Sequence, residues 1–256
     1  MRGNMAEANY TESDMMVVTA SRFLRDGEVV FIGIGLPSLA TNLAKRLHAP
    51  GIVMNYESGT LDTKPAKPPL SIGDDELSLK ALAIVSGPEM FRYGLQGGTF
   101  ETGFLAAAQI DRYANLNTTV IGDYWNPKVR LPGAGGAPEI ARFCNRSIIM
   151  LKQTRRSFVE QLDFVTTIGY WKGGDSLSEI GYSAKGSLTV ITDLGILEPD
   201  PVSKELVQTH IHQGVTIEQV KESTGWDLRI APLLKTTTPP AEKELTILNE
   251  LREMLT

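Results

Sequence analysis

Apolar positions change their period several times along the chain, and each change predicts an element. Thr11-Glu12-Ser13-Asp14 offers a hydroxyl to free helix amides and acids to the positive end of a helix dipole. Met16, Ala20, Phe23 and Leu24 follow at helical spacing, and Gly27 ends the run. Residues 28–34 (EVVFIGI) are almost continuously apolar and predict a buried strand. Pro37 suits the first turn of a second helix, PSLATNLAKRLH, and residues 51–57 (GIVMNYE) predict a second strand. Strand, helix, strand at this spacing is a right-handed parallel crossover.

The alternation continues. ETGFLAAAQI, NTTVIG, SIIMLK and DFVTT read as strands, with helical patterns in GPEMFRYGLQ and APEIARFCN. Beyond Ser187 the texture changes: LTVITDLGILEP and ELVQTHIHQ predict antiparallel strands around Asp193-Leu194-Gly195. Thr216 to Gln219 caps a further helix that ends by Gly225, and Pro239-Pro240 precedes an amphipathic helix over 242–255. The expected fold is α/β, an open and largely parallel sheet flanked by helices with an antiparallel C-terminal extension. Its main domain is placed at 1–235, with a linker and terminal helix at 236–256.

In such sheets the chemistry gathers beyond the carboxyl ends of the strands. Three places qualify: the turn GIGLP at 33–37, Glu57 at the tip of the second strand, and PGAGGAP at 132–138 before a helix. The first resembles a dinucleotide fingerprint, with Glu57 near the spacing of a ribose-binding acid. However, Ser38 replaces the third glycine and Pro37 removes an amide from the anion-binding turn. PGAGGAP lacks the Gly-Lys-Ser/Thr of a Walker loop. Its glycines either form a tight turn or let backbone amides approach an oxygen, as an oxyanion hole requires. A strand-end glutamate is either a solvated charge or a nucleophile. As a nucleophile, Glu57 would attack an acyl group beneath a hole formed by Gly135 and Gly136.

Composition narrows the partners. The 256 residues carry a net charge of −5 and are 42% hydrophobic and 21% charged, which suits a soluble globular chain. Basic residues are scattered, so no nucleic-acid surface is expected. The single cysteine, Cys144, has no internal disulfide partner, and no Cys/His cluster suggests a metal. No apolar run approaches a membrane span, and the N-terminal stretch lacks the apolar core of a signal peptide, so the expected location is the cytoplasm. His210 and His212 share a strand face but lack a third ligand; Lys152, Arg155 and Arg156 read as a surface cluster or a phosphate contact. Tyr124 and Trp125 read as core aromatics or as pocket lining.

Five motifs in order bring a resemblance: GIGLPSLATNLAKR, the ESG after a strand, AAAQIDRYANLNTTVIGDY, GAGGAPEIA and GVTIEQVKESTGWDL. Together they resemble the β-type subunit of the family I CoA-transferases, above all the glutaconate type, over residues 14–232. The resemblance implies a fold shared with sugar-phosphate isomerases and aminosugar deaminases, and a separate α-type subunit that completes the site in an α2β2 or α4β4 assembly. It places the catalytic glutamate on Glu57 and the oxyanion and CoA-binding loop on Gly133, Gly135 and Gly136, with Gly35 and Asn117 lining the acyl and CoA side. The substrates it implies are acyl-CoA and a free short-chain, dicarboxylic or branched acid, with no cofactor and no metal. One departure stands out: Ala114 occupies a position usually held by glycine, which predicts strain if the backbone there is left-handed. Alternatives are an acyl-CoA hydrolase or decarboxylase of the same fold, a non-catalytic metabolite-binding subunit, and a nicotinamide oxidoreductase.

Overall fold

The computed structural model describes residues 9–182 and 186–255; residues 1–8, where the absence of a signal peptide was read, lie outside them. Eight strands form one sheet: β1 (Val29–Ile32), β2 (Val53–Tyr56), β3 (Thr102–Leu105), β4 (Arg146–Met150), β5 (Ser187–Ile191), β6 (Gly195–Pro199), β7 (Leu206–Ile211) and β8 (Arg229–Thr236). Their order is β8-β7-β6-β5-β4-β3-β1-β2. The five strands β2, β1, β3, β4 and β5 are mutually parallel, whereas β6 and β7 run antiparallel to their predecessors. The strand order reverses at β1, with β2 on one side and β3 on the other. That reversal opens a crevice at the carboxyl ends.

Alternate side chains of β1 go to opposite faces, and both faces are covered. On one face Val30 and Ile32 pack with Met16 and Val17 of α1 (Glu12–Arg22) and Leu43 of α2 (Leu36–Leu47). On the other, Phe31 joins Phe100, Leu105 and Ile140, the last from α3 (Ala137–Phe143). The predicted cap of α1 forms: the Asp14 amide donates to Thr11 Oγ1 at 3.1 Å, and the Thr11 amide donates to Asp14 Oδ2 at 2.7 Å. Thr216 caps α4 (Ile217–Glu222) in the same reciprocal way. The last helix, α5 (Glu242–Glu253), lies on the α1 and α2 layer with Leu248 and Leu251 fully buried. Arg22 pins the approach to α5 by donating to the Thr238 and Pro239 carbonyls and pairing with Glu244 at 2.6 Å.

Four expectations changed. ETGFLAAAQI joins the sheet only over Thr102–Leu105, and Gln109–Ile110 pairs with Leu116–Asn117 in a separate two-stranded sheet. DFVTT is no strand: its one rung is a bridge between Thr167 and Leu116, and the Asp163 side chain instead accepts from Gln109 Nε2 at 2.9 Å. The GPEMFRYGLQ helix opens as α over Gly87–Glu89 and continues as a π-turn over Met90–Leu95. Strand β8 was missed because Pro232 argues against a ladder; it lies at the sheet edge, where the register with β7 breaks, and there a missing amide costs little.

Candidate active site

Glu57 follows the last residue of β2, opposite Gly33 at the end of β1, since Ile32 pairs with Tyr56 in the register. A hydrogen bond from the Gly59 amide to the Tyr56 carbonyl at 3.0 Å closes the turn that carries it. Gly59 has φ +97°, and an added Cβ there would run into the Val85 carbonyl, so only glycine fits. Tyr56 anchors the turn from below: its side chain is fully buried, and its phenol lies 3.1 Å from Ser38 Oγ in the first turn of α2. Burial pushes that phenol up to about 12, partly offset by the Ser38 hydrogen bond. Glu57 itself is half-buried.

The glycine segment comes down on this carboxylate from the other side of the crevice. A Cβ on Gly135 would lie 3.8 Å from Glu57 Oε1, and one on Gly136 would lie 3.6 Å from it. The loop's lateral position is fixed by Thr118, whose carbonyl accepts from the Gly133 amide at 2.8 Å and whose hydroxyl donates to the Gly133 carbonyl at 2.7 Å. Gly133 and Gly135 take φ of +102° and +48°. Gly35, with φ +82°, stands immediately before α2, and the space where its side chain would be is open. No side chain caps α3; its Ala137 amide donates to the Ala134 carbonyl at 3.0 Å, and Pro138 has no amide hydrogen to offer.

Asn117 is placed differently. Its side chain is fully buried; Nδ2 donates to Gln109 Oε1 at 2.7 Å and the Val120 carbonyl at 2.6 Å, and Oδ1 accepts from the Thr119 and Val120 amides. Both of its donors and both of its acceptor positions are used, which makes it a brace for the segment beside Thr118. Ala114 does adopt φ +58°, a left-handed value that costs an L-residue roughly 1–2 kcal/mol. The one thiol is structural: Cys144 is buried and its thiol is pushed up to about 12 by desolvation. His212 is buried, its two nitrogens meeting Thr237 Oγ1 at 2.7 Å and the Thr192 carbonyl at 2.8 Å.

Sequence reading missed Phe91. An added Cβ on Gly136 would stand 2.7 Å from its ring, and the ring also meets Phe31 edge-on at 6.2 Å. The available signal was Gly94: a Cβ there would stand 2.6 Å from the Phe100 ring, so the close packing of the π-turn on Phe100 needs glycine. Thr118 and Ser38 left no pattern in the sequence.

An open parallel sheet that holds a strand-tip glutamate beneath a glycine loop defines a class of acyl-handling α/β enzyme. The family model described as Coenzyme A transferase matches residues 13–223, and the chain belongs to that family. It is 52% identical over 242 residues to the B-type subunit of the 3-oxoadipate CoA-transferase of Pseudomonas knackmussii, covering 94% of this chain and 93% of that one. The B-type subunit of the glutaconate CoA-transferase of Acidaminococcus fermentans is 35% identical, covering 90% of this chain and 88% of its own. The crystal structure of glutaconate CoA-transferase from that organism superposes with a TM-score of 0.88 at 32% identity, covering 94% of each chain. The chain is therefore a CoA-transferase of the B-subunit type, and that type implies an α-type partner. Among the described residues no helix is long and apolar enough to cross a membrane.

Proposed function

We propose that this chain moves CoA between carboxylic acids by a ping-pong cycle through a glutamyl-CoA thioester on Glu57, within an α2β2 or α4β4 assembly. The observation that carries the reading is the approach of the Gly135-Gly136 backbone to the Glu57 carboxylate, with the Gly136 Cβ position 3.6 Å from Oε1. A carboxylate needs no base to act as a nucleophile, only an electrophile in reach and donors for the oxyanion.

In the first step Glu57 attacks the donor thioester, the C–S bond breaks, and an acyl-glutamyl anhydride and CoA thiolate form. The thiolate attacks the glutamyl carbonyl, the anhydride C–O bond breaks, and the donor acid leaves. The acceptor carboxylate then attacks the glutamyl thioester and releases CoA thiolate again. That thiolate takes the acceptor acyl group and frees Glu57. One thioester replaces another, so neither ATP, a metal nor a further cofactor enters the balance. Each oxyanion donor from the glycine loop would lower the barrier by about 3 kcal/mol.

The names of the two relatives support a short-chain dicarboxylic substrate, with a 3-oxo acid as the first to try. Incubation of the assembled complex with acetyl-, succinyl- and glutaryl-CoA, followed by peptide mass analysis, tests the mechanism. A CoA adduct on the Glu57 peptide that is absent from Glu57→Gln supports it. Free CoA without an adduct would instead mean hydrolysis, and turnover by Glu57→Gln would overturn the assignment.

A further inference from the structure

The glycine segment that approaches Glu57 is held by hydrogen bonds more than by packing. Pro132, Ala134 and Gly135 are exposed, and the space where a Gly133 side chain would be is open. The Leu131 amide donates to the Thr119 carbonyl at 3.0 Å, and the Gly133 amide donates to the Thr118 carbonyl at 2.8 Å. The Thr118 hydroxyl then donates to the Gly133 carbonyl at 2.7 Å. Both backbone polar groups of Gly133 are thus bound to one residue. A shift of Thr118 passes directly to the two glycines further on that face the carboxylate.

The position of Thr118 and Thr119 is set in turn from two sides. Asn117 Oδ1 accepts from the Thr119 and Val120 amides. The amide that Asn117 does not take, that of Thr118, donates to Thr166 Oγ1 at 3.0 Å, and the same hydroxyl lies 2.7 Å from Thr119 Oγ1. A hydroxyl has two lone pairs and one hydrogen, so Thr166 satisfies both contacts at once. Its own backbone is fixed, because its amide donates to the Leu116 carbonyl at 2.9 Å and Thr167 bridges to Leu116 beside it.

We propose that Thr166 is a positioning residue for the reaction at Glu57: acting through Thr118 and Thr119, its hydroxyl holds the glycine segment where Gly135 and Gly136 meet the carboxylate. The proposal rests on the reading of that segment as the oxyanion donor. It gives the 163–167 segment, which forms no strand, a task at the site.

The test compares Thr166→Val, which removes the hydroxyl and keeps the shape, with Thr166→Ser, which keeps the hydroxyl, in the assembled complex. Hydrogen exchange of peptides covering residues 130–137 reads the loop without any substrate. In Thr166→Val these amides should exchange roughly threefold to tenfold faster, the equivalent of one lost hydrogen bond, and in Thr166→Ser at the wild-type rate. Should Thr166→Val fail to assemble, Thr119→Val breaks the hydroxyl contact from the opposite side, with the same direction expected. Kinetics then read the reaction, with the acyl-CoA that labels Glu57 as donor. For Thr166→Val, kcat should fall about tenfold, short of the hundredfold that a ~1 Å displacement costs, with KM for acyl-CoA little changed and recovery in Thr166→Ser. A merely structural hydroxyl would lower Tm and leave kcat of the folded complex alone, as expected for Ser21→Val, whose buried hydroxyl donates to the Val18 carbonyl. Loop exchange at the wild-type rate, or a kcat no lower than that of Ser21→Val, overturns the proposal. If no acyl-CoA labels Glu57 in the wild type, the transferase cycle is what fails, and the exchange arm still decides whether Thr166 holds the loop.

Discussion

Glu57 and Gly136 stand so close that a side-chain carbon on the glycine would be 3.6 Å from the Glu57 carboxylate and only 2.7 Å from the Phe91 ring. The second distance is one that real side chains do not reach. Gly136→Ala must therefore displace either the loop or the ring, and a displacement of about 1 Å at reacting groups costs on the order of a hundredfold in rate. The expected result is a large fall in kcat with an assembled, folded complex. Gly136→Ala combined with Phe91→Leu should recover part of the loss, because the smaller side chain yields the space. Equal losses in the single and double variants would show that the Phe91 contact is not what excludes a side chain at 136.

Gly59 makes a contrasting case. A Cβ there would collide with the Val85 carbonyl, which belongs to the backbone and accepts no easy adjustment, and φ is +97°. The Val85 amide also donates to the Gly59 carbonyl at 2.9 Å. Gly59→Ala is expected to destabilise by at least ~3 kcal/mol, at the level of the most damaging single substitutions, and to lower Tm accordingly. A thermal melt of the complex checks this, and a shift within the error of the wild type would contradict the geometry.

The part of the fold legible in the sequence was the part governed by local periodicity. The cap of α1, the β1-α2-β2 crossover and the 188–213 hairpin all follow from residues that signal their own conformation: Thr11 and Asp14, Pro37, and alternating apolar residues around Gly195. Glu57 and the 133–136 loop were singled out by their place beyond the carboxyl ends of the strands and by the family resemblance, and the structure brings the two together. The parts played by Phe91 and Asn117 were not legible. The role of Phe91 depends on a π-turn set by the packing of Gly94 against Phe100, a tertiary contact. Asn117 lies in the right segment, but its side chain is turned inward by four partners that no spacing rule specifies.

That inward turn has a measurable consequence. If Asn117 is a brace, Asn117→Ala leaves the buried Val120 amide without its acceptor, at about 1–3 kcal/mol, and also takes a partner from the half-buried Thr119 amide and from Gln109 Oε1, which keeps the Asp163 amide. Expected is a marked fall in Tm, with a rise in KM for acyl-CoA no larger than that of a similarly destabilised variant remote from the site, such as Ser21→Val. Loss of CoA affinity at unchanged stability would instead restore Asn117 as a direct ligand contact.

Tyr56 gives the pH prediction. Its phenol is buried and raised from 10.0 to about 12, so between those values the unfolded chain loses a proton that the native chain keeps. By linkage its contribution to stability is fully present below pH 10 and is lost as pH rises through 10 towards 12. Cys144 acts in the same direction, its thiol raised from 9.0 to about 12, so its share begins to fall a unit earlier. Alkaline unfolding should therefore steepen above pH 9, where Cys144 starts to contribute, and again above pH 10 with Tyr56. Tyr56→Phe removes one of the two protons, and should flatten the upper part of the pH dependence while costing about 1 kcal/mol at neutral pH through the lost Ser38 hydrogen bond. Thermal melts of the wild type and Tyr56→Phe over the alkaline range decide it. Parallel curves would mean that the phenol ionises as freely in the native protein as in the unfolded chain, and the anchor beneath Glu57 would then have to be sought in the Gly59 turn alone.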